Sequence, residues 1–117
     1  MESQTPLEQL YCQAARFTTK AKAGRVYFIL QELVFAQQNI CDLSVYRFKI
    51  TEGWHVVVLG DKPPDALHTR IEGLLSFGTA IDLKSTRPDV VATLQERRAQ
   101  MSGIAPWIEL HRETQEE

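Results

Sequence analysis

The feature that constrains the fold most is a predicted β-hairpin spanning residues 43–60. Apolar and polar residues alternate over residues 43–50, which is typical of a strand with one buried face. One face carries Tyr46, Phe48 and Ile50, and the other carries Arg47 and Lys49. The segment TEGW predicts a turn at Gly53, and WHVVVLG then predicts a strand buried on both faces. Two consecutive strands joined by a glycine turn predict an antiparallel pair.

The segment before the hairpin predicts a helix over residues 24–38. Apolar residues recur there with the spacing of a single core stripe, formed by Val26, Ile29, Leu30, Leu33 and Val34. Phe28 and Phe35 are seven residues apart and point away from this stripe. Because an exposed aromatic pair is uncommon on a soluble monomer, we expect a second subunit or the C-terminal segment to bury both rings.

The N-terminal part of the chain fits two interpretations. TPLE at residues 5–8 is typical of a helix start, with Thr5 as the N-cap and Glu8 completing a capping box. Residues 7–17 fit a helix by the spacing of their apolar residues and a strand by their aromatic and threonine content. We favour one or two helical turns followed by a strand over residues 11–19.

Three more elements follow the hairpin. DKPPD predicts the start of a second helix, which ends at Gly78, and TAIDL predicts a short strand. The inner side of the second helix is formed by Leu67, Ile71 and Leu74. STRPD predicts a third helix, with Thr86 and Asp89 spaced as a capping box. Its inner side is formed by Val90, Leu94 and Met101.

This order of elements predicts an α+β protein with a ferredoxin-like βαββαβ sandwich and an appended C-terminal helix and tail. The predicted divisions are an N-terminal segment (1–9), the βαββαβ domain (10–83), and a helix and tail (84–117) that belong to the same domain. We expect both helices of the βαββαβ unit on one face of an antiparallel sheet, with the other face open.

The composition restricts the classes of partner. A chain of 117 residues suits one domain, and its formal net charge of -2 does not favour bulk attraction to nucleic acid. The sequence has no apolar run of the ~18 residues needed to span a membrane, so no membrane partner is expected. Its beginning, MESQTPLEQ, lacks the basic and apolar regions of a signal peptide. We therefore expect a cytoplasmic protein.

Two cysteines do not form a disulfide framework, and we expect reduced thiols. In the predicted sheet the third strand separates the first strand from the second. Cys12 and Cys41 should then be too far apart to bridge.

The sequence contains no recognisable catalytic or metal-binding motif. His55, His68 and His111 are far apart and lack metal-ligand spacing. A P-loop, a Rossmann glycine pattern and a nucleophile elbow are also missing. We therefore predict no catalytic residue, no metal and no cofactor.

The stretch KAGRVYFILQELVFAQQNICDLSV, followed by GWHVVVLGD, PPDALHTRIEGLL and TAIDL, resembles an ACT domain. The resemblance covers roughly residues 10–83. The residues that match the family's turn, helix and Asn-Ile pattern are Lys22, Gly24, Val26, Ile29, Leu33, Asn39 and Ile40. Ala23 departs from the pattern, because the family often has proline there, and this leaves φ less restricted.

The resemblance implies a regulatory module that binds an amino acid or another small anionic ligand at the interface of a homodimer. In that family, the turn before the first helix and the start of the second strand form the site. The implied ligand-binding residues are Lys22, Ala23, Gly24, Arg25, Asn39 and Ile40.

Apart from the resemblance, the residue types in this turn also favour the binding of an anion. Gly24 lets a ligand approach the backbone, and a helix that starts there offers unpaired N–H groups and a partial positive charge. Lys20, Lys22 and Arg25 add cations, so a carboxylate or phosphate suits the turn. The alternative is that these are solvated loop cations and that Asn39 is only a left-handed helix C-cap.

Three functions follow from these features. The first is small-molecule sensing by an ACT-like homodimer. The second is a structural or adaptor subunit without a ligand, whose protein-protein interface includes Phe28, Phe35 and Trp107. The third is a small dimeric α+β barrel enzyme that uses the open sheet face as its pocket, with His55 nearby. The fold alone does not choose among them.

Overall fold

The computed structural model describes residues 9–100, which form an α+β fold with a four-stranded antiparallel sheet. The elements are β1 (Tyr11–Phe17), α1 (Lys20–Ala36), β2 (Leu43–Ile50), β3 (Gly53–Gly60), α2 (Asp65–Leu75), β4 (Thr79–Ile81), α3 (Leu83–Thr86) and α4 (Pro88–Gln100). The strand order is β2-β3-β1-β4. The βαββαβ-like order predicted from the sequence, with a C-terminal helix after it, is therefore confirmed. None of the helices in this part of the chain is long and apolar enough to cross a membrane.

β2 and β3 form the hairpin that the alternating pattern predicts. They pair from Leu43 with Gly60 to Ile50 with Gly53. At the turn, φ of Gly53 is 125°, a backbone conformation that glycine adopts readily. β3 also pairs with β1, from Tyr11 with Gly60 to Phe17 with Trp54, and β1 pairs with the short strand β4. β2 and β4 are consequently the two edges of the sheet.

Helices α1 and α2 cover one face of the sheet. α1 buries Ala23, Gly24, Val26, Tyr27, Leu30, Leu33 and Val34, and α2 buries Leu67, Ile71 and Leu75. One detail of the prediction is wrong, because Ile29 is 46% exposed and Tyr27 occupies the core side of that turn. Leu74 packs against the core as predicted, although Leu75 is more deeply buried.

α1 begins at Lys20, four residues before the predicted start at Gly24. Thr19 is the N-cap, and its Oγ1 accepts a hydrogen bond of 3.1 Å from the backbone N–H of Lys22. The alanines that follow have high helix propensity and extend the helix through the KAKAGR stretch. The expectation of a turn in this stretch is therefore wrong.

Two predicted helix caps are also wrong. Gln37 is the C-cap of α1, and no non-glycine residue in the described range has a positive φ, so Asn39 is not a left-handed cap. Thr86 belongs to α3 and donates its hydroxyl to the carbonyl of Asp82. It therefore does not cap α4, which begins at Pro88.

The opposite face of the sheet is covered by α3 and α4, so the expectation of an open face is wrong. The core on this side consists of Leu10, Ala14, Tyr46, Phe48, Ile50, Val57, Leu59, Leu83, Val91 and Leu94. Arg98 attaches α4 to the start of β2, because its Nη2 donates to the Asp42 carbonyl at 2.8 Å and lies 2.9 Å from Asp42 Oδ2. Side chains therefore fill the face that the enzyme hypothesis requires as a pocket.

Both cysteines are free, as predicted. β3 lies between β1 and β2, and the thiols lie on opposite faces, Cys41 in the core under α1 and Cys12 against the core under α4. Burial raises the pKa of Cys12 to about 11 and also raises the pKa of Cys41. Both thiols are therefore protonated and poorly nucleophilic at neutral pH.

The strand predicted near the N-terminus is present as β1, which settles the interpretation of residues 11–17. The predicted capping box at residues 5–8, the inward-facing Met101 and the predicted interface residue Trp107 lie outside the described residues.

Candidate functional site

A surface depression lies between the first half of α1 and the edge strand β2. The residues that line it are Lys20, Ala21, Gly24, Arg25, Phe28, Ile29 and Arg47. Three of these described residues are cations, and none is a carboxylate. Phe28 and Ile29 supply an apolar wall, with 59% and 46% of their surface exposed. The depression therefore combines positive charge with apolar surface.

Arg47 is held on the strand side of the depression by aromatic rings of α1. It is half-buried, and its guanidinium carbon lies 5.4 Å from the Tyr27 ring centroid and 5.9 Å from the Phe28 ring centroid. Guanidinium groups are attracted to the faces of such rings. Arg47 also lies beside Gly24, where a β-carbon would be only 2.7 Å from its Nη1. The missing side chain of Gly24 thus makes room for the guanidinium.

The other two cations come from the first turns of α1. Lys20 begins the helix, and its Nζ lies 5.8 Å from the ring centroid of Trp54 on β3. Arg25 is exposed and lies a little more than one turn further along. Helical spacing therefore brings Lys20, Arg25 and Phe28 to the same depression, and Arg47 completes it from the sheet.

The structure brings together only part of the predicted site. Gly24 and Arg25 line the depression, and Lys22 is exposed but does not line it. Ala23 is completely buried in the core.

Asn39 and Ile40 follow the other end of α1. The helix between Gly24 and Ala36 is ~18 Å long. Within one chain, Asn39 and Ile40 are therefore well separated from the depression.

Backbone donors are not available in the way the sequence indicated. The N–H of Lys22 bonds to Thr19 Oγ1, and the N–H of Ala23 bonds to the Thr19 carbonyl at 3.2 Å. The N–H groups after Gly24 belong to the helix interior, where they bond to carbonyls four residues earlier. An anion in the depression would therefore be held by side chains.

Arg47 is not among the ligand-binding residues predicted from the sequence. On β2 it lies on the same face as Leu43 and Val45, which pack in the core under α1. A charged residue on the strand face that packs against a helix is a sequence signal that could have indicated a binding residue. Its partner could not be predicted, because Gly24 is distant in sequence and was interpreted as a helix start.

The lining residues suit binding more than catalysis. None of the described lining residues is a histidine, cysteine, serine or carboxylate that would serve as base or nucleophile. His55 lies elsewhere, 2% exposed, stacked on Phe48 of the second core and with Nδ1 2.9 Å from the Gly53 carbonyl. Within residues 9–100, no group of three or more His, Cys, Asp or Glu side chains could hold a metal ion.

No protein-family model matches the chain, and no curated protein or solved structure matches it either. Its function is therefore inferred from the geometry of its own residues.

Proposed function

We propose that this protein is an ACT-like regulatory module with a ferredoxin-like domain, and that it binds a small organic anion in the depression beside α1. The observation that supports this proposal is the convergence of Lys20, Arg25 and Arg47 on an apolar wall, with no carboxylate among the described lining residues. The ligand class is a carboxylate or phosphate joined to an apolar group, which includes an amino acid bound through its carboxylate.

The charge of the ligand would be recognised mainly by Arg47. This guanidinium is half-buried against Tyr27 and Phe28, where charge-assisted hydrogen bonds are stronger than in open water. Lys20 and Arg25 are exposed and add positive potential at the rim. The apolar part of the ligand would lie on Phe28 and Ile29, and burying their surface adds affinity.

A regulatory role fits this kind of site. The depression offers binding groups and no catalytic group among its described residues, so its occupation would act by linkage. A ligand that binds one state of the protein more tightly shifts the population toward that state.

The experiment compares ligands that differ only in charge. Phenylacetate and the neutral phenylacetamide have nearly the same shape, so isothermal titration calorimetry on both isolates the contribution of the carboxylate. We expect phenylacetate to bind more tightly by about 1.5–3 kcal/mol, the scale of hydrogen bonds to a charged group. L-phenylalanine and inorganic phosphate test whether an α-ammonium is tolerated and whether the apolar part is needed.

Matched variants locate the site. Arg47→Gln should remove most of the difference between phenylacetate and phenylacetamide, and Arg25→Gln should remove part of it. Arg70→Gln on the exposed side of α2 removes the same charge away from the depression and should change nothing. Equal binding of the acid and the amide, or equal loss in all three variants, would contradict the proposal.

A second candidate function is a protein-protein interaction subunit. The specific observation in its favour is that Phe28 and Phe35 are 59% and 69% exposed, as the sequence predicts for rings that point away from the core. Their burial by another chain or by the C-terminal segment stays a prediction.

A further inference from the structure

The outermost side of α1 carries a stripe of five residues with regular spacing. The stripe, called the outer stripe here, consists of Ala21, Arg25, Phe28, Glu32 and Phe35. Its members are separated alternately by four and three residues, which is the spacing of the contact seam in a two-helix coiled coil. All five are exposed among the described residues.

We propose that the outer stripe binds the same stripe of a second copy of this chain, with the two α1 helices antiparallel and related by a two-fold axis beside Phe28. In this arrangement Phe28 meets Phe28 of the second copy, and each Arg25 faces the other chain's Glu32. Each Ala21 faces the other chain's Phe35, so a small residue receives a large one. This inference concerns assembly only and does not depend on ligand binding.

The distribution of charge selects the antiparallel direction. A parallel pair in register would place Arg25 on Arg25 and Glu32 on Glu32, and like charges in contact disfavour that dimer. The antiparallel pair instead forms two identical Arg25–Glu32 ion pairs on either side of the central rings. It also sets each helix N-terminus beside the other's C-terminus, which the helix dipoles favour. An isologous contact of this kind closes as a dimer.

The position of α1 leaves room for a second chain. α1 packs over β2, which is an edge strand, and no described element covers its outer side. The helix of 17 residues is ~25 Å long, so the stripe makes a small interface. The dimer should therefore dissociate on dilution.

The experiment is sedimentation velocity on the full chain over a wide concentration range, combined with charge reversal. Arg25→Glu and Glu32→Arg each create two like-charge contacts across the interface, and each should weaken dimerisation about tenfold or more. The double variant exchanges both charges and should restore dimerisation to near the wild-type level. Because positions 25 and 32 are two turns apart, this rescue cannot come from a contact within one helix.

A mixture of the two single variants supplies an independent test. In a mixed dimer, every contact between position 25 of one chain and position 32 of the other joins a carboxylate to a guanidinium. The mixture should therefore dimerise at concentrations where each variant alone is monomeric. Both substitutions are at exposed positions, and circular dichroism should show that each variant remains folded.

Three outcomes would overturn the proposal. The first is a wild-type chain that stays monomeric at every concentration. The second is a dimer unaffected by either charge reversal, which would place the interface elsewhere. The third is a monomer whose free energy of unfolding falls in Phe35→Ser by the amount expected for a buried ring. That loss would show that residues 101–117 or another segment of the same chain covers the outer stripe.

Discussion

Gly24 in α1 and Arg47 on β2 are in direct contact, and a β-carbon on Gly24 would lie 2.7 Å from Nη1 of Arg47. Glycine inside a helix destabilises it by about 0.5–1 kcal/mol relative to alanine. Gly24 carries this penalty and lies beside Arg47, the half-buried cation among the described residues of the depression. The contact therefore couples the stability of α1 to the geometry of the depression.

Gly24→Ala should therefore separate stability from binding. The alanine improves helix propensity, and the end of the Arg47 side chain must move to accommodate the methyl group. We expect the free energy of unfolding to change by less than about 0.5 kcal/mol, because the gain and the loss of the cation–π contacts offset each other. Phenylacetate affinity should fall. Urea unfolding and calorimetry measure the two quantities.

Gly73→Ala is the matched control, because Gly73 is also in a helix and a β-carbon there would meet no atom within 4 Å. It should stabilise the protein by about 0.5–1 kcal/mol and leave phenylacetate binding unchanged. Equal stabilisation by both substitutions would show that Arg47 moves away from Gly24 without loss.

Gly60→Ala is predicted to be strongly destabilising. Gly60 ends β3 with φ of 151°, and its added β-carbon would overlap the backbone carbonyl of Asp42. This carbonyl accepts hydrogen bonds from the Asp61 N–H and from Arg98, so it cannot move as the end of a side chain can. We expect a loss of at least about 2 kcal/mol in the free energy of unfolding, measured by urea denaturation. A loss below about 0.5 kcal/mol, the size of an ordinary surface effect, would contradict this packing.

His55 predicts a pH dependence of stability. Burial lowers the pKa of His55 below 6.5, and Arg16 and Arg87 lower it further, although the Gly53 carbonyl and Glu52 act in the opposite direction. The unfolded chain therefore takes up a proton at a higher pH than the folded protein does. The stabilising contribution is complete above pH 6.5 and is lost as the pH falls from there toward the folded-state pKa.

Urea unfolding between about pH 8 and pH 5 measures this contribution. The free energy of unfolding should decrease with falling pH in the wild type and decrease less in His55→Leu, which has no titratable group at that position. The comparison concerns the slopes, since the variant also loses the stacking on Phe48 and the contact with the Gly53 carbonyl. Parallel slopes would show that His55 titrates equally in both states.

Sequence patterns that repeat every few residues predicted the strands and helices well. The alternation of Tyr46, Phe48 and Ile50 depends only on strand geometry, and all three side chains lie in one core as predicted. The start of α1 was missed because Gly24 was interpreted as the first helical residue. In the second turn of α1, the missing side chain of Gly24 leaves room for Arg47. No local sequence pattern contains this contact.

The side of the sheet chosen by α4 could not be predicted either. Val90 and Leu94 predicted that this helix has an apolar side, but only the tertiary structure shows that Val91 is its fully buried valine and that this side covers Phe48 and the rest of the second core. Of the predicted ligand-binding residues, Gly24 and Arg25 line the depression. Arg47 was missed because a residue contributed by a different element leaves no trace in the spacing along α1.

Arg25 lines the depression and also belongs to the outer stripe, as do Ala21 and Phe28. The carboxylate of a ligand and Glu32 of a second copy would then compete for the same guanidinium. We expect phenylacetate to shift the protein from dimer to monomer in sedimentation velocity, and we expect its apparent affinity to decrease as protein concentration increases, because the coupling is reciprocal.

Phenylacetamide at the same concentration is the control and should shift the dimer much less, since it shares the contact with Phe28 but carries no charge to compete with Glu32. In Glu32→Gln the competing carboxylate is gone, so phenylacetate should shift whatever dimer remains no more than phenylacetamide does. If phenylacetate instead strengthens the wild-type dimer, the two events do not compete, and the ligand lies between the two chains, as the resemblance to ACT domains implies. A ligand effect of either sign that survives in Arg25→Gln would show that the coupling does not pass through Arg25.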